Sequence, residues 1–261
     1  MVTDYESDLQ LALRLADLAD EITLARYQSL DLEVEKKPDL SPVTDADRAV
    51  EQALIAELAK HRPDDGFIGE EFGERAGTSG RSWVIDPIDA TKNFVRGVPV
   101  WATLIALLEG DIVRVGVVSA PAMARRWYAR EGGGAFTIDV KGGVRQIHVS
   151  KVAEVADASI SFSGLRGWRL VGLAEKFNAF AERCWRQRAY GDFWSHLLVA
   201  EGAVDISTEP ELKLWDMAPL DVIVREAGGR FSSITGVDGP HGGDVIATNG
   251  LLHQYVIDAL T

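Results

Sequence analysis

The chain has 261 residues, 46% of them hydrophobic, enough for a large core in a single α/β enzyme or in two tightly joined halves. Its 27 basic and 40 acidic residues give a formal charge of −13, which argues against non-specific binding to DNA, RNA or an anionic membrane and leaves any anionic substrate in need of local help. Cys184 is the single cysteine, so neither an intrachain disulfide nor a thiolate metal cluster can form, and it reads as a small core residue in a reducing compartment.

The leading segment Met1–Asp8 carries acids where a secretory leader carries bases, and no apolar run approaches membrane-spanning length, so the expectation is a soluble, cytoplasmic protein. From about Asp8 to Ser29, Leu9, Leu13, Ala16, Ala19 and Leu24 recur at helical spacing. Residues 32–42 are charged and proline-punctuated, a strand fraying into a loop, with Lys36-Lys37-Pro38-Asp39 read as solvated. Thr44 is a good N-cap, followed by acids in the first turn and the apolar face Val50, Leu54, Ile55 and Leu58 up to Pro63. Next come two apolar runs that end in acids: Phe67-Ile68-Gly69-Glu70-Glu71 and Trp83-Val84-Ile85-Asp86.

From Trp101 the pattern becomes paired strands, 103–108 with 112–119 and 126–130 with 135–138, predicting a mostly antiparallel sheet. The glycines at 132–134 lack the lysine and helix of a phosphate loop and predict a tight turn. Beyond about residue 150, strands at 158–162, 203–207 and 245–248 alternate with helices near 173–185, after Gly191 and through 222–227. That alternation favours an α/β layer, and the expected organisation is two subdomains, residues 1–150 and 151–261, with a cleft between them.

Acids stand at the ends of four segments: Asp47, Glu70 with Glu71, Asp86 with Asp89, and Asp216. Taken singly, each has an ordinary explanation as a cap, a turn or a solvated edge. The pair Asp86 and Asp89 is harder to dismiss, because Pro87 stiffens the bend and Ile88 adds a backbone carbonyl, an arrangement able to aim several oxygens at one point. Hard divalent cations prefer such oxygen ligands, and no histidine or cysteine lies nearby to suit zinc. Ala90-Thr91-Lys92-Asn93 can begin a helix whose free N–H groups suit a phosphate.

Together, Gly69-Glu70-Glu71, the run Trp83 to Phe94 and Trp215-Asp216-Met217-Ala218-Pro219-Leu220 resemble the inositol-monophosphatase-like superfamily of Mg²⁺-dependent, lithium-sensitive phosphomonoesterases, in order and approximate spacing across nearly the whole chain. The resemblance implies a sandwich of alternating helix and sheet layers. It also implies Glu70, Asp86, Asp89, Asp216 and the Ile88 carbonyl as ligands to two or three Mg²⁺ ions, with Asp47 helping to hold a further one, over which the segment 36–39 could close in the alternative to its solvated reading. Thr91 and Asp47 would orient the attacking water, with Glu70 in the same catalytic group, and the N–H groups of Ala90 and Thr91 would hold phosphate. The family usually has glycine where this chain has Ala90.

The stretches 92–101, 189–196 and 209–216 are similar to the histidinol-phosphate phosphatase branch, closest to actinobacterial members. The resemblance places contacts to the leaving alcohol at Asp89, Gly191, Asp192, Phe193, Glu209 and Asp216, and two further acids there, Asp192 and Glu209, suit a cationic amine or imidazolium better than a neutral polyol. The ordinary reading of Asp192 is an N-cap and of Glu209 a loop acid, while His196 reads as a satisfied core histidine and Trp101, Trp194 and Trp215 as core or rim. The resemblance also implies a homodimer acting on a small phosphate monoester, with no nucleic-acid or membrane partner. Rival readings are an inositol or sugar monophosphatase on the same scaffold and a non-catalytic metal-binding regulator; a Rossmann-type enzyme is disfavoured because no glycine fingerprint follows the first strand.

Overall fold

The computed structural model describes residues 5–261, so Met1–Asp4 of the acidic leading segment lie outside the described residues. The first half runs α1 (Glu6–Arg26), β1 (Val34–Lys36), β2 (Pro42–Thr44), α2 (Asp45–His61), β3 (Gly66–Gly69), β4 (Gly73–Arg75), β5 (Arg81–Asp89), α3 (Thr91–Arg96), β6 (Ala102–Glu109), β7 (Ile112–Ala120), β8 (Arg125–Arg130), β9 (Gly134–Ile138) and β10 (Val144–Ile147). The second half runs β11 (Ser159–Ser161), α4 (Leu165–Leu170), α5 (Ala174–Ala181), β12 (Arg186–Arg188), α6 (Asp192–Ala200), β13 (Ile206–Glu209), α7 (Leu214–Glu226), β14 (Arg230–Ser232), β15 (Val245–Thr248) and α8 (His253–Leu260).

β3 to β10 form one eight-stranded sheet in the order β10-β9-β8-β7-β6-β5-β3-β4, antiparallel except where β3 meets β5. A five-stranded mixed sheet follows the order β12-β11-β13-β15-β14, and β1 pairs only with β2. Strand β6 explains the layering: Ile105 and Leu107 join Leu11 and Leu15 of α1 and Val50 and Leu54 of α2 on one face. Leu104, Ala106 and Leu108 face the opposite way, against Leu197 of α6 and Leu220 and Val224 of α7. A strand apolar on both faces must be covered on both.

The second sheet divides likewise. Val245 and Ala247 of β15 enter the core shared with α6 and α7, whereas Ile246 meets Phe177 and Phe180 of α5 and Val256 and Leu260 of α8. Helix, sheet, helix, sheet, helix is therefore the layer order, the alternating sandwich that the resemblance implied. α7 can lie directly on β7 because position 116 is glycine; a Cβ there would stand 2.7 Å from the Pro219 carbonyl oxygen and 2.6 Å from Val222.

Several boundaries differ from the sequence expectation. The strand expected over 203–207 begins at Ile206 and ends on Glu209, so Glu209 is a strand residue and not a loop acid. The helix expected from Val222 starts at Leu214, which places Asp216 in its first turn. The helix expected to reach Trp185 ends at Ala181 and leaves Trp185 exposed. Residues 32–42 form a short hairpin with Thr44 and not a single fraying strand. Gly132 and Gly134 make the expected tight turn, and their N–H groups donate to the Glu226 carboxylate at 2.8 Å each, so the turn holds a side-chain anion.

Candidate active site

β5 ends in an irregularity that brings its acids together. In a regular strand, residues three apart point to opposite faces. Here the register with β6 shifts between Asp86 and Asp89. Pro87 has no N–H to give to the ladder; its carbonyl accepts the Thr103 hydroxyl at 2.8 Å, and the Ile88 N–H turns back to Asp86 Oδ1 at 2.9 Å. The bulge re-aims the strand end, and one carboxylate oxygen from each of Asp86, Asp89 and Asp216 lies within 4.8 Å of the others. The Ile88 side chain is buried against Ala46, Phe94 and Trp101, which anchors the bulge from below. Its carbonyl accepts the Thr91 hydroxyl at 3.0 Å, leaving one lone pair.

α7 and α2 each deliver an acid through a capping interaction. Asp216 accepts the Lys213 N–H at 2.7 Å. Thr44 is the N-cap that the sequence predicts, and Asp47 adds a reciprocal capping box, accepting the Thr44 N–H at 2.8 Å and hydroxyl at 2.6 Å through Oδ2. Asp47 is fully buried, and its Oδ1 has no hydrogen-bond partner among the described residues. A buried carboxylate oxygen left in this state is costly unless something outside the chain meets it.

Glu70 and Glu71 follow β3, and the reading of residues 36–39 as solvated fails at Lys37. Its ammonium reaches Glu70 at 2.6 Å and Glu71 at 2.5 Å, with a fifth of its side chain exposed. The hairpin β1–β2 thus brings a cation to the acidic cluster, yet it stops at the outer pair. Among the described residues, no lysine or arginine forms an ion pair with Asp86, Asp89 or Asp216.

The electrostatics reflect that lack of compensation. Burial, followed by the charges of Glu70, Asp89 and Asp216, pushes the Asp86 carboxyl well above the ordinary carboxylate range, and Asp89 is raised by burial and then by Asp192 and Asp216. Burial lifts Asp216 to about 6 against the opposing Lys213 N–H, and lifts Asp47 to about 7 against the bonds from Thr44. These acids resist ionising together in the bare protein.

A cleft of about 270 Å³ opens over this cluster, lined by Ser41, Pro42, Glu70, Ala90, Thr91, Lys92, Asn93 and Asp192. Two of those residues hold strained backbone: Ala90 has φ +64° and Asp192 φ +47°, in the left-handed region that non-glycine residues avoid. Asp192 is the first residue of α6, after Gly191, and so is not the N-cap. Asn93 Nδ2 donates to the Val100 carbonyl at 2.8 Å and reaches the Asp192 carboxylate at 3.4 Å. The Phe193 N–H donates to Asp89 Oδ2 at 2.9 Å, tying the start of α6 to the end of β5.

Glu209 does not line the cleft. It reaches the group through Ser163, whose N–H donates to Glu209 and whose hydroxyl accepts the Asp192 N–H at 2.9 Å. Burial raises the Glu209 carboxyl to about 8 and also raises Asp192, the latter opposed by Lys92. Ser163, Asn93 and Lys37 are contacts that sequence reasoning missed; each bridges segments far apart in the chain. His196 is buried as expected but not satisfied, since neither ring nitrogen has a partner among the described residues and burial lowers it to about 3. Trp101 is core, and Trp194 and Trp215 are half-buried.

Oxygen-only donors, an orphaned buried carboxylate oxygen and mutual elevation of the acids all fit a hard divalent cation. A layered α/β fold that gathers such a cluster under a half-polar cleft defines the class: a protein built to bind metal beside a small polar ligand. The chain belongs to the inositol monophosphatase family, whose pattern it matches over residues 4–261. It is 58% identical over 253 residues to a histidinol-phosphatase of Mycobacterium tuberculosis, covering 97% of each chain. It is 52% identical over 261 residues to a histidinol-phosphatase of Streptomyces coelicolor, covering 98% of each. Among solved structures, the Thermotoga maritima IMPase superposes with a TM-score of 0.86 at 30% identity, over 97% of this chain and 96% of that one.

Proposed function

We propose that this chain is a Mg²⁺-dependent phosphomonoesterase that hydrolyses L-histidinol phosphate to L-histidinol and phosphate in histidine biosynthesis. The observation that carries the reading is the convergence of Asp86, Asp89 and Asp216 within 4.8 Å, with no ion-pairing lysine or arginine among the described residues, beside a cleft whose lining holds another acid, Asp192. Relatives named histidinol-phosphatase, similar over almost their whole length, support the choice of substrate.

Glu70, Asp86, Asp89, Asp216 and the Ile88 carbonyl would hold two or three Mg²⁺ ions, with Asp47 contributing to one of them. When bound, the ions supply a lowered water pKa and neutralise charge on the phosphoryl oxygens. Asp47 and the Thr91 hydroxyl would orient the attacking water in line with the ester bond, with Glu70 in the same group. The N–H groups of Ala90 and Thr91 would face the phosphate. Asp192, with Glu209 behind it through Ser163, would receive the amine and imidazole end, helped by Asp89, Asp216, Gly191 and Phe193. We further propose a cytoplasmic homodimer, which light scattering on the purified protein tests.

Inorganic phosphate release is the direct assay. With L-histidinol phosphate and Mg²⁺, phosphate should appear; a chelator should abolish the signal and added Mg²⁺ restore it. Asp192→Ala should lower kcat/KM for histidinol phosphate by about tenfold to a hundredfold, the worth of one charged hydrogen bond, and spare a neutral phosphomonoester. Equal losses on both substrates would remove the amine contact, and faster turnover of inositol phosphate by the unaltered protein would favour the inositol-phosphatase reading.

A further inference from the structure

Glu51 has no part in the reaction proposed above, yet it is fully buried. It stands one helical turn after Asp47 on the same side of α2. Asp47 turns toward the N-terminus of α2 and the acidic cluster, whereas Glu51 reaches the bend that follows β3. Its Oε2 accepts the Glu71 N–H at 2.9 Å and its Oε1 accepts the Phe72 N–H at 2.7 Å. Both donors belong to the turn that carries Glu70, and a carboxylate accepting two backbone N–H groups fixes a bend more firmly than either bond alone.

The approach is close enough to dictate a neighbouring residue. A Cβ placed on Gly69 would stand 2.1 Å from Glu51 Oε1 and 2.5 Å from its carboxyl carbon. Position 69 has no left-handed backbone to explain a glycine, so the carboxylate itself supplies the reason, together with the Phe67 ring at 2.5 Å. Gly69, Glu51 and the two N–H groups make one interlocking contact between α2 and the bend.

We infer that Glu51 is a positioning residue for the metal-binding carboxylates, a buried clamp by which α2 sets Glu70 in fixed relation to Asp47. Glu70 is held from behind by Glu51 through the backbone and in front by the Lys37 ammonium through its side chain. Removing Lys37 by rotation frees the Glu70 carboxylate for a cation; the clamp is what keeps its backbone in place when that happens. Orienting groups of this kind are worth about tenfold to a hundredfold in metal affinity. The inference rests on the proposed function, because it takes Glu70 and Asp47 as ligands.

The test uses Glu51→Gln and Gly69→Ala in the full chain. Glutamine keeps the shape and one acceptor but turns an NH₂ toward the second backbone N–H. Mg²⁺ is titrated calorimetrically into the metal-free protein, and the Mg²⁺ dependence of phosphate release is followed in parallel. Glu51→Gln should raise the Mg²⁺ dissociation constant about tenfold to a hundredfold while kcat at saturating Mg²⁺ is largely recovered. Gly69→Ala should do the same, and the double variant should be no worse than the weaker single one, because both break the same contact. A Glu51→Gln titration curve that overlays that of the unaltered protein overturns the inference, as does a Glu51→Gln protein that is unfolded without metal. If the unaltered protein neither binds Mg²⁺ nor releases phosphate, the functional reading falls and this inference with it.

Discussion

Two buried aspartates on the same scaffold differ in how the chain treats their charge. Asp8, in α1, accepts from Arg62 Nε at 2.9 Å and from Arg81 Nη2 at 2.8 Å, so two cations from separate segments meet one carboxylate. Asp86 is equally buried but has four acidic neighbours, Glu70, Asp89, Asp216 and Asp47, and no ion-pair partner among the described residues. The first arrangement is a closed structural pair; the second is incomplete until a cation enters. Since an uncompensated buried charge costs several kcal/mol, a protein that keeps one where an arginine could stand has given up stability for function.

The comparison predicts opposite responses to the same change. Asp89→Asn should lower turnover and Mg²⁺ affinity together, on the order of a hundredfold or more, because it deletes a charge the metal needs. In the presence of a chelator, however, the Asp89→Asn protein should melt above the unaltered one, since repulsion with Asp192 and Asp216 is relieved. Asp8→Asn should behave the other way, leaving Mg²⁺ binding intact and costing about 1–3 kcal/mol of stability by removing the carboxylate that Arg62 and Arg81 share and leaving Arg81, among the described residues, only Asp65 at 3.4 Å. Differential scanning calorimetry with and without Mg²⁺ measures both, and a lower metal-free melting point for Asp89→Asn would break the contrast.

Glu209 extends the contrast to pH. Burial holds its carboxyl at about 8, far above the value of an unfolded glutamate. An acid raised in the folded state binds more protons there than in the unfolded chain, so its contribution is present at low pH and disappears as pH rises through about 8. The metal-free protein should therefore lose stability from about pH 4.5, the unfolded value, to about pH 8 and level off above that, and Glu209→Gln should flatten part of that slope. Urea midpoints across this range provide the check; an unchanged slope in Glu209→Gln would assign the pH dependence wholly to the other raised acids.

What could be read from the sequence was what short-range chemistry specifies. Thr44 is the predicted N-cap with Asp47 in its first turn, and the β5 acids announce themselves by standing at the end of an apolar run beside a proline. Where local chemistry is weak the reading slipped. α7 begins after Lys213, a residue with no preference for the N-cap, so its start was displaced to Val222. β13 was shifted toward Ala203 because Thr208 and Glu209 do not look like core, although both are buried and pair with Ile246 and Val245 of β15. Lys37 with Glu70, and Ser163 with Glu209, lie 33 and 46 positions apart; nothing local distinguishes these partners from solvated residues. Glu51 was not singled out in the sequence, because what it does depends on where β3 bends.

Ala90 offers the smallest and most direct adjustment of the site. Left-handed backbone costs an L-residue about 1–2 kcal/mol, and glycine relieves it at an entropic cost of about 0.5–1 kcal/mol in the unfolded chain. Ala90→Gly should therefore stabilise the protein by less than about 1 kcal/mol, while the N–H proposed to face phosphate is retained. Asp192 has the same kind of backbone, but glycine there would also remove the carboxylate that lines the cleft. The two substitutions separate strain from chemistry: Ala90→Gly should raise the urea midpoint slightly with kcat/KM for histidinol phosphate unchanged, and Asp192→Gly should raise it while losing discrimination for the cationic substrate. If Ala90→Gly instead lowers stability, the left-handed turn after β5 is not strained, and the rigidity of the phosphate-facing N–H groups must come from the Ile88 cluster beneath them.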